Sequence, residues 1–286
     1  MYRLGYNTNG LAHHRLDDAL ALLADTGYEG VALTLDVQHL DPFTATVTDV
    51  EAVRRRAEEL GLSLAVETGA RYVLDHKVKH APNLLDEEAA GRERRVDFYA
   101  RAAKTAAGLG AGIISIWAGA PSDGATAESA DGERKEVLWG RLVEGVRQTL
   151  AACAEFGVTL CFEPEPGMFI ERPAGFFELL ERLGSDGEAL AMTLDVGHLL
   201  CTNDLPAGDV IRSCAEHIRH VHLDDIAGGV HEHRMFGEGD LDLAETLRAL
   251  REIGFEGMAA VELSRDSHRG AAAAEEAMRH LRAATG

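Results

Sequence analysis

Short apolar runs alternate with longer amphipathic segments along the whole chain, and this alternation constrains the fold more than any other feature. The runs are almost uniformly apolar, as expected of strands that are buried on both faces. Between them, apolar residues recur at helical spacing, as in Leu142, Val146 and Leu150. Glycines such as Gly110 and Gly157 follow these segments, where a left-handed C-cap favours a residue without Cβ. The pattern is typical of a parallel sheet whose strands are joined by helical crossovers.

Eight such strand and helix units can be counted, which predicts an α/β fold built as a (β/α)8 TIM barrel around an eight-stranded parallel core. The predicted strands are Arg3 to Tyr6, Gly30 to Leu35, Ser63 to Glu67, Gly112 to Trp117, Val158 to Glu163, Ala189 to Asp195, Ile218 to Leu223 and Met258 to Leu263. Barrels of about 250 residues or more form one domain around one core. We therefore expect residues 1–286 to form a single domain.

Two long polar segments follow predicted strands, one from Thr68 to about Arg92 and one from Gly119 to about Glu136. Loops that follow barrel strands lie on the catalytic face, and such loops often carry binding residues. The two segments are therefore candidates for lids over a pocket, and plain surface loops are the alternative interpretation.

The charge balance favours a small-molecule substrate over a nucleic acid. Lys and Arg total 28 against 48 Asp and Glu, a formal net charge of -20, whereas binding a phosphate backbone relies on clustered cations. The opening residues, MYRLGYNTNG, lack the features of a secretory leader, and no run approaches the roughly 18 to 20 apolar residues of a membrane helix. We expect a cytoplasmic protein without nucleic-acid or membrane partners, and a homo-oligomer is compatible with the sequence.

Four consecutive strands carry a charged or metal-ligating residue at their carboxyl ends. Glu163 closes strand five in VTLCFEPEPG, Asp195 closes strand six in ALAMTLDVGH, His222 lies near the end of strand seven in IRHVHLDD, and Glu262 closes strand eight in MAAVELS. A single acidic residue after a strand is often only a helix cap. Charged groups are costly in a barrel core unless they are paired or bind a metal, so four in succession predict a metal site. Three carboxylates and an imidazole suit Mn²⁺ or Mg²⁺, with Co²⁺ or Zn²⁺ as alternatives.

The strand-end motifs carry a family resemblance. FEPEPG, TLDVGH, HVHLDD and AVELS, together with the loop HEHRMFGEGDLD, resemble the xylose-isomerase-like TIM-barrel superfamily. That superfamily includes sugar epimerases such as D-tagatose 3-epimerase, hydroxypyruvate isomerase, inosose dehydratase and endonuclease IV. The resemblance is strongest from Val158 to Ser264 and is architectural before that range. As a combined pattern the motifs indicate the superfamily, but they do not select a substrate.

The resemblance implies a divalent-metal-dependent isomerase or epimerase of a sugar, keto-sugar or cyclitol ketone. The single metal site of the epimerases matches Glu163, Asp195, His222 and Glu262, with Mn²⁺ as the first expectation. Glu163 and Glu262 match the two carboxylates that remove and return a proton beside a metal-bound carbonyl, through an enediolate. The implied partner is a small polyhydroxy carbonyl substrate.

Four further residues are candidates for substrate contacts. In the resemblance His198 matches a substrate-contacting histidine, and Arg234 falls near a substrate-contacting arginine. Glu67 ends strand three and could contact a hydroxyl group, with a structural salt link as the alternative. Trp117 ends strand four and could line the apolar face of a sugar, with a packed aromatic as the alternative.

The nuclease branch of the superfamily suggests a competing activity, phosphodiester hydrolysis with three metals. The loop histidines His231 and His233 match ligands of that branch, and with His198 they could hold a second ion. Two other histidines of the nuclease cluster fall on Gly69 and Trp117, and the net charge of -20 opposes DNA binding. The sequence therefore argues against the full three-metal site.

A metal-dependent dehydratase of the inosose or dehydroshikimate type is the nearer alternative. It begins with the same proton removal and continues with loss of a hydroxyl group. A non-catalytic sugar-binding barrel is disfavoured by the full set of ligating and proton-transfer residues, although the sequence does not exclude it.

Overall fold

The computed structural model describes residues 2–69 and 71–285. Its strands are β1 Arg3–Asn7, β2 Gly30–Thr34, β3 Ser63–Glu67, β4 Ile113–Ile116, β5 Thr159–Phe162, β6 Leu190–Asp195, β7 Ile218–Leu223 and β8 Met258–Val261. Its α-helices are α1 Leu16–Thr26, α2 Val47–Glu59, α3 Ala89–Leu109, α4 Gly132–Phe156, α5 Pro173–Leu183, α6 Val196–Thr202, α7 Ala207–Ser213, α8 Leu243–Glu252 and α9 Gly270–Thr285. Short 3-10 helices span Thr8–Leu11, Gly184–Ala189 and Ser267–Arg269.

The eight strands form a closed barrel in chain order, with every neighbouring pair parallel and β8 paired to β1. This confirms the predicted TIM barrel, and each predicted strand agrees with the observed one to within two residues at either end. Since all strands run in one direction, their carboxyl ends meet at one end of the barrel. The polar residues that follow the strands are thereby brought into one neighbourhood.

The local sequence explains why these elements form. Every residue of β2 and of β6 is buried, which accounts for their largely apolar composition. Helices α3 and α4 end at Gly110 and Gly157, whose φ angles of 73° and 67° are left-handed, as the C-cap pattern predicts. Among the helices that the structure describes, none is both long and apolar enough to cross a membrane.

The loop between β7 and α8 is organised by one buried carboxylate. The Asp225 side chain accepts hydrogen bonds from the backbone N–H groups of Ile226 and Leu241, both at 2.9 Å, through Oδ1. Its Oδ2 accepts from the N–H groups of Gly237 at 2.8 Å and Gly239 at 3.0 Å. A Cβ at Gly239 would collide with this carboxylate, so the close approach requires glycine. The loop that carries the sequence HEHR is thus fixed relative to the barrel.

Replacing Asp225 by Ala should destabilise the fold and loosen this loop, because four backbone donors lose a buried acceptor. We expect the free energy of unfolding to fall by at least about 3 kcal/mol, and amide hydrogen exchange to accelerate in residues 226–242. Denaturant titration and exchange mass spectrometry measure both effects. The matched control is Asp186→Ala, which removes an exposed carboxylate paired with Arg147 and should cost less than about 1 kcal/mol. Equal losses in the two variants would contradict the organising role of Asp225.

Candidate metal centre and substrate cavity

The structure brings together the four strand-end side chains that the sequence predicts as metal ligands. Glu163 follows β5, Asp195 ends β6, His222 lies in β7 and Glu262 follows β8. One potential ligand atom from each lies within 4.8 Å of the others. His222 Nδ1 is 2.9 Å from both Glu163 Oε1 and Glu262 Oε2, and 3.7 Å from Asp195 Oδ2. The closed barrel therefore produces the predicted constellation.

The environment of Asp195 fits a bound cation. Its Oδ1 accepts a hydrogen bond of 3.0 Å from the backbone N–H of His198 and so caps α6. Its Oδ2 is buried and has no hydrogen-bond partner among residues 2–69 and 71–285. A buried carboxylate oxygen without a partner is costly unless a cation satisfies it. Three carboxylates and one imidazole are also the oxygen-rich donor set that suits Mn²⁺ or Mg²⁺.

The pKa values show how strongly the cluster attracts positive charge. Burial raises the pKa of Glu163 to about 7, although the neighbouring His222 opposes the shift. Burial also acts to raise the pKa of Glu262, but His222 and His233 outweigh it and hold this pKa well below its ordinary value. For His222 burial acts to lower the pKa, but the carboxylates of Glu163, Glu262 and Glu67 raise it well above the ordinary value. Without a metal, an imidazolium thus supplies the positive charge that these carboxylates require.

Glu67, at the end of β3, contacts two histidines of β7, one of which is the metal-ligand candidate His222. Its Oε1 lies 2.8 Å from His220 Nε2 and 3.1 Å from His222 Nε2. Because the Glu67 carboxylate contacts Nε2 of His222, the Nδ1 atom of the same ring faces the other carboxylates. A carboxylate that binds the second nitrogen of a metal-ligating histidine commonly orients the ring in this way. Glu67 makes these contacts with the histidines and also lines the cavity, so its contact with a substrate hydroxyl stays a prediction. The sequence analysis missed His220, but its spacing of two from His222 placed both side chains on one face of β7.

Asn9 is a second residue that the sequence analysis missed. Its Nδ2 donates a hydrogen bond of 2.6 Å to Glu262 Oε1, and this bond joins the segment after β1 to the residue after β8. The only sequence signal was a polar residue just beyond a strand end in RLGYNTNG. The bond limits the orientation of the Glu262 carboxylate.

A second cluster adjoins the first and contains His198, His231 and His233, whose ligand atoms lie within 4.8 Å of one another. The Nε2 atoms of His198 and His231 are 3.1 Å apart. His198 Nδ1 lies 3.1 Å from Pro164 O, and His233 Nδ1 lies 2.5 Å from Asp224 Oδ2. Burial lowers the pKa of His198 to about 4, so this ring is neutral near pH 7, as metal ligation requires. The structure thus assembles the three histidines that the sequence suggests for a second ion.

A cavity of about 380 Å³ lies against the first cluster. Its lining includes three residues of that cluster, Glu163, His222 and Glu262, and also Asn9, Glu67, Arg71, Lys79, His80, Trp117, Glu165, Met168, His231, His233 and Arg265.

Trp117 lines this cavity, and its contact with the apolar face of a sugar stays a prediction. It is fixed by an edge contact with His80, whose ring centroid is 5.4 Å away, and by the Arg95 guanidinium 5.1 Å from its ring centre.

The two residues that the resemblance suggested as substrate contacts are not among the lining residues of this cavity. His198 is buried among the histidines, and Arg234 pairs with Glu232 at 2.9 Å; neither lines the cavity in the described part of the chain.

Comparisons with known proteins agree with this architecture. The model of the family described as xylose isomerase-like TIM barrel matches residues 20–284. The uncharacterised protein MJ1311 of Methanocaldococcus jannaschii is 29% identical over 112 residues, which is 38% of each chain. The chain therefore aligns with well under half of the length of that curated relative.

Several solved structures share the fold over nearly the whole chain. The 3-keto-D-glucoside 4-epimerase YcjR of E. coli has a TM-score of 0.78 at 15% identity, covering 99% of this chain and 100% of that one. A D-tagatose 3-epimerase-like protein has a TM-score of 0.74 at 16% identity, with coverage of 99% and 100%. The D-allulose 3-epimerase of Methylomonas sp. has a TM-score of 0.73 at 14% identity, with coverage of 99% and 96%. At these identities the likeness establishes the fold, and the family match over residues 20–284 shows that the chain belongs to the xylose isomerase-like TIM barrel family.

Proposed function

We propose that the protein is a divalent-metal-dependent isomerase or epimerase of a polyhydroxy carbonyl compound, namely a sugar, a keto-sugar or a cyclitol ketone. One observation carries the proposal. The carboxylates of Glu163 and Glu262 both line the cavity, and both lie 2.9 Å from the same imidazole nitrogen, His222 Nδ1. Two proton carriers therefore flank one cation site inside a sugar-sized space. The fold neighbours named as epimerases of D-allulose and of a 3-keto-D-glucoside add support.

The proposed chemistry is proton transfer at carbon. A divalent ion held by Glu163, Asp195, His222 and Glu262 supplies positive charge that favours loss of a proton beside a carbonyl group. Either Glu163 or Glu262 removes this proton as a carboxylate, and the other returns one as a carboxylic acid. Return to the opposite face of the same carbon gives an epimer. Return to the neighbouring carbon, with the hydroxyl proton passing from one oxygen to the other, gives an aldose–ketose isomer. Trp117 shields the apolar face of the substrate from water.

A second divalent ion at His198, His231 and His233 is part of the proposal. Its support is the 3.1 Å approach of His198 to His231, together with the oxygen atoms that orient His198 and His233. Zn²⁺ is the ion that imidazole ligands favour there, whereas Mn²⁺ is proposed for the carboxylate-rich site. In metal titrations, His233→Ala should remove a second binding step and retain the first. His268→Ala, which changes an exposed histidine, should retain both steps.

The affinity of the carboxylate-rich site for Mn²⁺ should rise with pH. Its ligands must be deprotonated, and in the metal-free protein the pKa of Glu163 is about 7 while that of His222 lies well above its ordinary value. Titration of one group near pH 7 gives about a tenfold gain in affinity between about pH 6 and pH 8, and His222 adds to it. Calorimetry in buffers of different ionisation enthalpy measures the affinity and the released protons. Constant affinity without proton release would contradict the proposed ligand set.

Replacing Glu262 by Gln should separate metal binding from proton transfer. Glutamine keeps the shape and one ligating oxygen but cannot carry the proton, so turnover should fall at least about a hundredfold while metal is retained. Turnover is measured on D-allulose, D-tagatose and an inosose, with metal content determined on the same samples. Glu256→Gln, an exposed change at the opposite end of β8 from Glu262, is the control and should keep normal turnover. A metal-loaded Glu262→Gln enzyme with nearly normal turnover would rule out the two-carboxylate mechanism.

Deuterium exchange from solvent then identifies the initial base. If Glu163 alone removes the substrate proton, Glu262→Gln should still incorporate deuterium into substrate without forming product. If Glu262 is the initial base, exchange and turnover should vanish together.

A dehydratase remains the alternative within the same site, since it shares the first proton removal. Its product lacks the mass of one water, so mass spectrometry of the reaction mixture separates the two activities. The nuclease alternative is less well supported. Gly69 and Trp117 line the cavity where the nuclease branch would place two further histidines, and the net charge of -20 opposes a phosphate backbone.

A further inference from the structure

Three basic side chains converge on the cavity of a strongly acidic protein. Arg71 and Lys79 come from the long segment after β3, and Arg265 comes from the segment after β8. The chain has a formal net charge of -20, so such a group of cations stands out against the overall charge. The acidic lining residues are Glu67, Glu163, Glu165 and Glu262, and two of them, Glu163 and Glu262, belong to the metal centre. One cavity is therefore lined both by residues built to hold a cation and by a group of three basic side chains.

Of the three basic side chains, Arg71 is held in place and Lys79 has no carboxylate partner. Arg71 is held by Asp36, whose Oδ2 lies 3.2 Å from its Nη1, and its Nη2 donates a 3.0 Å hydrogen bond to Asn9 O. Lys79 is an exposed residue, and its ammonium has no carboxylate within 4.0 Å in residues 2–69 and 71–285. Partial burial and the positive charges of Arg71 and Arg265 lower the pKa of Lys79, against the opposing negative charge of Glu165.

The third cation is only partly neutralised. Arg265 pairs with Glu232 at 3.1 Å, but the same carboxylate also pairs with Arg234 at 2.9 Å. One negative charge is thus shared by two guanidinium groups. Together with the unpaired Lys79, this arrangement leaves positive charge on these side chains that ion pairs do not fully neutralise, and an anionic ligand would neutralise it.

We propose that the substrate carries a terminal anionic group, a phosphate monoester or a carboxylate, which Arg71, Lys79 and Arg265 bind. This inference rests on the proposed function, because the carbonyl end of the same molecule then lies beside Glu163 and Glu262. Planar guanidinium groups and an ammonium are the side chains that recognise such anions through charge-assisted hydrogen bonds.

Equilibrium binding to the Mn²⁺-loaded protein tests the inference without requiring turnover. The probes are D-fructose, D-fructose 6-phosphate and a ketohexuronate, which offer a neutral terminus, a phosphate and a carboxylate. At least one anionic probe should bind about thirtyfold tighter than D-fructose or better, and the better probe identifies the anion class. Lys79→Gln and Arg265→Gln should each reduce this preference about tenfold. Lys77→Gln, an exposed change of equal charge in the same segment that does not line the cavity, should retain it.

Equal affinity for the neutral and anionic probes would overturn the inference. So would a preference that survives both Lys79→Gln and Arg265→Gln, since the anion would then be binding to the metal ion itself. The outcome is distinct from that of the proposed function. Tight, Lys79-dependent binding of an anionic probe without any turnover of ketoses or their phosphates would support the anion site and count against the isomerase. Turnover of neutral ketoses without an anion preference would support the isomerase and count against the anion site.

Discussion

The carboxylates of Glu163 and Asp195 are buried beside the partly buried Glu262 at one end of the barrel, where mutual repulsion and lost hydration make them costly in the absence of a cation. Much of the surrounding structure is arranged around this constraint. His222 lies among the three carboxylates and carries the positive charge in the metal-free protein, since its pKa is raised well above the ordinary value. A divalent ion is expected to replace that charge by displacing the proton, which couples metal binding to pH.

The barrel tolerates this concentration of charge because the ligands come from rigid elements. Asp195 belongs to the fully buried strand β6, and its Oδ1 atom caps α6. Glu67 orients His222 from an opposite strand, and Asn9 holds Glu262. Asp225 in turn fixes the loop that brings the histidine cluster beside the metal centre. Each ligand therefore has a supporting contact from a different part of the chain, as precise metal sites require.

The sequence predicted the barrel and the gathering of the four ligands for one reason. Parallel strands that close in chain order must place their carboxyl ends together, so residues at strand ends become neighbours whatever their separation in sequence. Side-chain pairing across the barrel follows no such rule. Glu67 contacts His222 from 155 residues away, and nothing in the local pattern of either strand specifies that pair.

The loops were harder still to predict, because their paths are set by tertiary contacts rather than by periodicity. The basic residues Arg71 and Lys79 lie in a polar segment that could equally have been a plain surface loop. The substrate roles suggested for His198 and Arg234 came from resemblance, and the structure places both away from the cavity lining, in a histidine cluster and in an ion pair with Glu232.

The metal centre is the claim on which the proposed function and its pH dependence both depend. Anomalous diffraction from crystals soaked in Mn²⁺, recorded above the manganese absorption edge, tests it most directly. The account predicts an anomalous peak within bonding distance of Glu163, Asp195, His222 and Glu262. The account would be contradicted if crystals soaked in saturating Mn²⁺ showed no anomalous peak at that position and His222 were still paired to the carboxylates.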